Sequence, residues 1–248
     1  MLRPFHGFTL ITLGIAAACA AIPGGDPAVS VAAVAETVPV GTANEDAADD
    51  PAIWRNPEDP AKSLIVGTDK KGGLYVYNLA GEQLSYLPAF GLNNVDLVEG
   101  RGGRIFVAAS DRSDLTTAYI FLAELDPVAG TLTKLIRSRA GPGEGYGICL
   151  TAPDENGDFA AISAPKEGTI YLTQIVNLGS EDAIYATRTT TLASVPSQPE
   201  GCVVDDRTGM LYVGEEAAGV WAIDLATGAK ELVAPVGTGM LVPDVEGL

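Results

Sequence analysis

The sequence has 248 residues, with 15 Lys+Arg against 32 Asp+Glu and a formal net charge of −17, a balance that excludes a nucleic-acid binder because phosphate backbones are neutralised by Lys and Arg. The single histidine, His6, stands in the N-terminal leader, which excludes Ser-His-Asp hydrolysis, histidine phosphatase chemistry and His-ligated zinc beyond it. Three cysteines without a His-Cys dipeptide disfavour a His-assisted cysteine phosphatase, and at 47% hydrophobic and 19% charged the chain reads as globular and rich in carboxylate, the ligand of hard cations such as calcium.

Residues 1–23 carry Arg3, an apolar run from Phe8 to Ala18, and small residues before Pro23. This is the pattern of a secretory signal peptide; a membrane span needs about 20 apolar residues, so no transmembrane segment is expected. The string Ile15-Ala16-Ala17-Ala18-Cys19 is similar to a bacterial lipoprotein box, with Ala16 where an aliphatic residue is usual. Plain cleavage and a lipid anchor at Cys19 both stay open, and both imply export, to the periplasm, an outer-membrane anchor or the medium. Residues 24–43 read as a linker leading into a first strand, and 44–248 as the folded domain. Cys149 and Cys202 lie in the apolar strand-like runs GYGICL and EGCVVD; buried free thiols and a disulfide are both compatible with that placement.

Four segments of the domain are alike: LIVGTDKKGGLYVYNL from Leu64, FVAASDRSDLTTAYIFLAEL from Phe106, FAAISAPKEGTIYLTQI from Phe159 and LYVGEEAAGVWAIDL from Leu211. Each is an apolar β-rich run, a polar turn and a second alternating run, which predicts a hairpin. Each follows a shorter apolar run: DPAIW at Asp50, NNVDLV at Asn93, GYGICL at Gly145 and EGCVVD at Glu200, with a fifth, DVEGL, at Asp244. Short strands recurring in this way without an amphipathic helix predict an all-β fold, a β-propeller of four- to five-stranded blades. A β-sandwich needs no recurring motif, and β-helix repeats are far shorter.

With the short runs as the innermost strands, their starts and the hairpin turns fall at one end of the channel. The strand starts bring Asp49, Asp50, Asn93, Asn94, Asp96, Glu144, Tyr146, Glu200, Asp244 and Glu246; the turns bring Lys70, Lys71, Arg112, Lys166, Glu215 and Glu216. Carboxylates gathered at a channel mouth repel one another unless cations sit between them, so several calcium ions are expected. Basic residues in the turns of three successive blades predict an anion-binding arc beside them, and hence a polyanionic ligand. The acidic run Asp154-Glu155-Asn156-Gly157-Asp158 lacks the closing Glu of an EF-hand loop and is read, with Asp205 and Asp206, as surface turn.

The strings DAADDPAIW at Asp46, TDKKGGLYVY at Thr68, LNNVDL at Leu92, SDR at Ser110, YG at Tyr146, KEG at Lys166, PEGCVVDDRTGMLYVGEE at Pro199 and PDVEGL at Pro243 together resemble the β-propeller phytases, the calcium-dependent alkaline type. The resemblance implies a six-bladed propeller that releases phosphate from phytate, myo-inositol hexakisphosphate, or its calcium complex, by attack of a metal-activated water. It implies Glu200, Asp49 and Glu216 as catalytic groups. Asp49, Glu200, Glu216, Asp244 and Glu246 match holders of catalytic calcium, while Asp50, with backbone oxygens near Pro51 and Val95, matches a tighter structural calcium site. Lys70, Lys71, Arg112, Tyr146 and Lys166 match the groups that grip substrate phosphates. A complete member would be a monomer.

After the linker about 205 residues remain, four blades by the observed period where the resemblance implies six. Leu248 falls inside what would be the next inner strand, so the chain reads as an incomplete or fragmentary member. Two other classes compete: a secreted calcium-binding propeller without catalysis, including an inactive phytase fragment, and a calcium-dependent lactonase. The basic arc argues against both, since neither a pure scaffold nor a neutral-substrate lactonase needs it.

Overall fold

The computed structural model describes residues 30–43, 46–177, 184–238 and 241–248. The segment expected to be a signal peptide, with Cys19, lies outside them, as does the start of the expected linker. Residues 30–43 form no strand. This segment lies along the first sheet instead, where Val38 N–H donates to the Gly81 carbonyl and Gly41 N–H to the Tyr75 hydroxyl, both at 2.8 Å.

Sixteen strands follow in four antiparallel sheets of four, each in simple sequential order. The first sheet holds β1 (Ala48–Trp54), β2 (Leu64–Asp69), β3 (Gly73–Asn78) and β4 (Gln83–Pro88); the second holds β5 (Leu92–Glu99), β6 (Ile105–Asp111), β7 (Thr117–Asp126) and β8 (Thr131–Pro142). The third holds β9 (Gly147–Leu150), β10 (Phe159–Ala164), β11 (Thr169–Asn177) and β12 (Ile184–Ser194), and the fourth β13 (Pro199–Asp205), β14 (Met210–Glu215), β15 (Gly219–Asp224) and β16 (Lys230–Pro235). The short runs form the first strand of every sheet, β1, β5, β9 and β13, and these four pack in succession side by side. This is a four-blade β-propeller arrangement, with four strands in each blade. Residues 244–248 lie against β13 without forming a strand.

One hydrophobic core fills each seam between blades. Strand β6 shows why: side chains alternate across a strand, so Ile105, Val107 and Ala109 pack on the first blade while Phe106 and Ala108 pack toward the third. All seven residues of β6 are buried. The Phe106 and Phe159 rings meet across the second seam, 5.2 Å between centroids, and Ile162, Ile170, Leu211 and Val213 close the third.

The seams also carry polar ties. Asp50 accepts from Val95 N–H at 3.0 Å and Trp54 Nε1–H donates to Glu99 at 2.6 Å across the first. Asp96 accepts from Leu150 N–H at 2.8 Å across the second. Across the third the tie is covalent: Cys149 and Cys202 form a disulfide, which decides between the two readings left open by the sequence. Asp206 adds a hydrogen bond from Ala152 N–H at 2.8 Å, so it is an inter-blade acceptor and not a plain turn residue. Asp154 is the turn residue expected, its Oδ1 accepting from the N–H groups of Asn156 at 2.8 Å and Asp158 at 3.0 Å.

Candidate active site

The blades present the candidate residues through one repeated backbone device. A residue at the end of each second strand, immediately after it in three blades and one residue further on, past Pro165, in the third, donates its N–H to a carbonyl ahead of the inner strand: Lys70 to Ala47, Arg112 to Gly91, Lys166 to Glu144 and Glu216 to Gln198, at 2.8, 2.8, 3.0 and 3.0 Å. Lys70, Arg112, Lys166 and Glu216 therefore occupy one equivalent position in four successive blades. The inner strands repeat as well. Pairing begins at Ala48 with Asp69, Leu92 with Asp111 and Pro199 with Glu215, and breaks in a bulge immediately afterwards. A bulge leaves extra residues unpaired and re-aims their side chains. Those residues are Asp49-Asp50, Asn93-Asn94 and Glu200-Gly201; in the third blade Tyr146-Gly147 stand at the same place.

Two glycines bring neighbouring inner strands into close approach. A Cβ at Gly147 would collide with the Glu200 carbonyl, and one at Gly201 with the Glu246 carbonyl. Glu246 thus takes, beside the fourth blade, the place that Glu200 takes beside the third. Asp49, Asn93, Tyr146, Glu200 and Glu246 form one ring of equivalent positions at the channel mouth, and the turn residues form a second.

The two rings meet around Tyr146. Arg112 and Lys166 each lie 5.1 Å from the centre of its ring, one from either neighbouring turn. Burial raises the Tyr146 pKa, and the charges of Glu200, Glu216 and Asp49 add to that rise while Arg112 opposes it. Lys70 Nζ lies 3.0 Å from Asp49 and 3.1 Å from Asp46. Burial works against its charge, but those two carboxylates outweigh it and raise its pKa. Lys71 donates its N–H to Asp69 at 2.9 Å and lines, with Lys70, Arg112, Phe90 and Leu115, a rim basin of about 420 Å³ between the first two blades.

The acidic groups converge on a central cavity of about 530 Å³ whose lining includes Asp49, Asp50, Asp96, Glu200 and Glu246. Burial, followed by the charges of Asp49, Glu246 and Glu216, pushes Glu200 up to about 8. Burial also raises Glu246, reinforced by Asp244, Asp49 and Glu216 and opposed by Lys70. Asp50 is pushed up to about 6, again by burial first. Asp244 adopts a positive φ of 78° and donates its N–H to the Glu216 carbonyl at 2.8 Å.

This donor set fits a hard cation by its chemistry: oxygen ligands only, several of them carboxylates, with Glu200, Glu246 and Asp50 held toward the protonated form by burial and by neighbouring negative charge. Among the described residues no three acidic side chains converge to ligating distance. At Val95 it is the N–H that meets the Asp50 carboxylate.

Two expected rim groups are placed otherwise. Glu215 is buried under the turn, where it accepts from Ser197 N–H at 2.6 Å and Trp221 Nε1–H at 2.7 Å. Glu144 forms an ion pair with Arg112. Sequence reasoning missed Gln198, whose side-chain amide donates to Glu216; its place two residues ahead of Glu200 was the available signal.

The blades thus present paired rings of side chains, one mainly acidic and one mainly basic, at one channel mouth. The phytase family model matches residues 7–248, and the chain belongs to the phytase family. It is 36% identical over 230 residues to the 3-phytase of Bacillus subtilis (strain 168), an alignment covering 88% of this chain and 59% of the relative. The chain thus spans less than two thirds of the length of that relative.

Proposed function

We propose that this chain carries the phosphate-releasing site of a calcium-dependent phytase: a phosphomonoester hydrolase whose substrate is phytate or its calcium complex. The observation that carries the reading is the placement of Lys70, Arg112 and Lys166 on one repeated position, with Lys70 3.0 Å from Asp49 and with Arg112 and Lys166 flanking Tyr146, which feels the charges of Glu200, Glu216 and Asp49. Family membership and the 36% identity to a 3-phytase support it.

In this reading Lys70, Arg112 and Lys166 bind and orient phosphate oxygens, with Lys71 on a neighbouring phosphate in the rim basin and Tyr146 holding Arg112 and Lys166 apart. Asp49, Glu200, Glu216, Asp244 and Glu246 would hold calcium at the cavity mouth, and Asp50 a further ion. Bound there, calcium would neutralise charge on the phosphate and make water a stronger nucleophile. Water adds to phosphorus as the bond to the inositol oxygen breaks. The proton lost by the water goes to the Glu200 carboxylate, whose proton affinity is raised by burial and by the charges of Asp49, Glu246 and Glu216 beside it. The leaving inositol oxygen takes up a proton from solvent. The lone leader histidine has no part in this chemistry.

Export fits the same reading. The leader has the signal-peptide pattern, and the Cys149–Cys202 disulfide suits an oxidising compartment.

The test is phosphate release from phytate by the wild type and by Glu200→Gln, in millimolar-range calcium and after chelation. Calcium-dependent release that the substitution abolishes, with the melting transition retained, is the expected result. Unchanged release in Glu200→Gln would overturn the assignment, and ligand binding without any release would favour a non-catalytic calcium-binding propeller.

A further inference from the structure

Asn93, a member of the inner ring, lines neither the central cavity nor the rim basin. It holds the place taken by Asp49, Tyr146 and Glu200 in the other blades, yet it is 1% exposed. A buried amide must be satisfied, and its hydrogen bonds run in one direction. Arg112 Nη1–H donates to Asn93 Oδ1 at 3.0 Å, and Asn93 Nδ2–H donates to Asn94 Oδ1 at 2.8 Å. Asn94, 7% exposed, lines the central cavity, and the next peptide N–H, that of Val95, donates to the Asp50 carboxylate at 3.0 Å. These contacts thus lead from a guanidinium in the rim basin, through two amides and the Asn94–Val95 backbone, to a carboxylate of the central cavity. A branch fixes the third blade: Asn94 N–H donates to Ser110 Oγ at 3.0 Å, and the Ser110 hydroxyl donates to the Tyr146 carbonyl.

We propose that Asn93 and Asn94 form a positioning relay that locks Arg112 to Asp50, so that the anion-binding rim and the acidic cavity keep one spacing. Neither residue touches the substrate in this proposal, which rests on the reading of the rim as a phosphate site. An arginine side chain has several rotatable bonds, and its second partner, Glu144, is a competing anion that would draw it away from the cavity. The Asn93 carbonyl supplies the opposing hold without adding charge. Bonds in such a chain polarise one another, so breaking either link loosens the whole.

The experiment is a double-mutant cycle on the full chain, with inorganic phosphate as the probe and calorimetry as the readout. Arg112→Met identifies the part of phosphate binding that belongs to the rim. Asn93→Ala and Asn94→Ala are each expected to weaken binding roughly tenfold, the scale of one charge-assisted hydrogen bond lost. Since both break the same relay, the double variant is expected to lose roughly tenfold as well, not a hundredfold. Losses that multiply, or wild-type affinity in either single variant, would overturn the relay, as would wild-type binding that Arg112→Met leaves unchanged. Asn93→Asp, equal in shape but without the donor to Asn94, is expected to weaken binding too, and retains the test if an alanine variant fails to fold.

Phytate hydrolysis by the wild type is followed in parallel. No release alongside Arg112-dependent phosphate binding would overturn the hydrolase reading alone, and the cycle would still decide the relay. In an active enzyme the alanine variants are expected to raise KM about tenfold with kcat nearly unchanged, a split that general loosening of the fold would not give.

Discussion

Lys70 Nζ stands 3.0 Å from Asp49 Oδ1, so the first cation of the rim is already paired with the first carboxylate of the cavity. The pair joins the turn ring to the inner-strand ring within a single blade. A phosphate at the rim competes with Asp49 for Lys70, and a cation in the cavity competes with Lys70 for Asp49. When both arrive, each ligand releases the protein group that the other needs.

Lys70→Met is therefore expected to weaken phytate binding and to leave Asp49 without its counter-charge. Steady-state phosphate release should show KM raised about tenfold, the scale of one lost charge-assisted contact. An unchanged KM would remove Lys70 from the substrate-binding set.

The pH dependence of stability follows from Glu200. Its folded-state pKa of about 8 lies above the ordinary carboxylate value of 4.5, so the folded chain binds more protons than the unfolded chain between these limits. Stability from this group is complete below pH 4.5 and is lost as pH rises through about 8. Asp50, at about 6, adds a loss of the same sign over a lower range. Melting temperatures in chelator should fall from acidic to alkaline pH, Glu200→Gln should flatten that fall, and calcium should offset it. A flat profile in the wild type would contradict the acidic cavity.

The Cys149–Cys202 disulfide closes a loop of 53 residues and ties the strands that lead out of Tyr146 and Glu200. Replacing both cysteines by serine should destabilise the protein by about 2–4 kcal/mol. A dithiol reductant should lower the melting temperature of the wild type and leave the serine variant unmoved. Equal melting of the two proteins without reductant would show that the bond is not formed.

Asp111 and Arg137 make an ion pair under a turn, Arg137 Nε to Asp111 Oδ2 at 2.6 Å, with the guanidinium 3.4 Å from the centre of the Tyr119 ring. Burial works against the Asp111 charge, but Arg137 and Ser113 outweigh it and lower the pKa. The stability it contributes is present above the unfolded pKa and is lost as pH falls through the folded one. Arg137→Met strands a buried carboxylate and is expected to cost about 3 kcal/mol in denaturant titrations. It should also reduce the acid sensitivity that the wild type shows.

The blade plan was legible because apolar alternation and turn residues are local signals. LIVGTDKKGGLYVYNL reads as a hairpin from its own composition, and β2 and β3 form it with Asp69 paired to Gly73. The turn ring was legible for the same reason. What the sequence could not show depends on meetings between blades. The bulges at Asp49-Asp50 and Glu200-Gly201 disturb a period of two without altering residue type. The disulfide needed the distance between β9 and β13. Glu215 looks like its neighbour Glu216, and only the fold turns one beneath the blade and leaves the other to accept from Gln198. Asn93 and Asn94 were visible as a pair, but amides reveal a role only through their partners.

The bond by which Lys70, Arg112, Lys166 and Glu216 are mounted belongs entirely to the main chain. Each blade is therefore a socket, and the side chain at that position is an interchangeable fitting. Lysine, arginine and glutamate sit in the same mount, so the pattern of charge around the mouth can be rewritten one blade at a time without redesigning any sheet. A propeller built in this way separates the inheritance of its shape from the inheritance of its ligand.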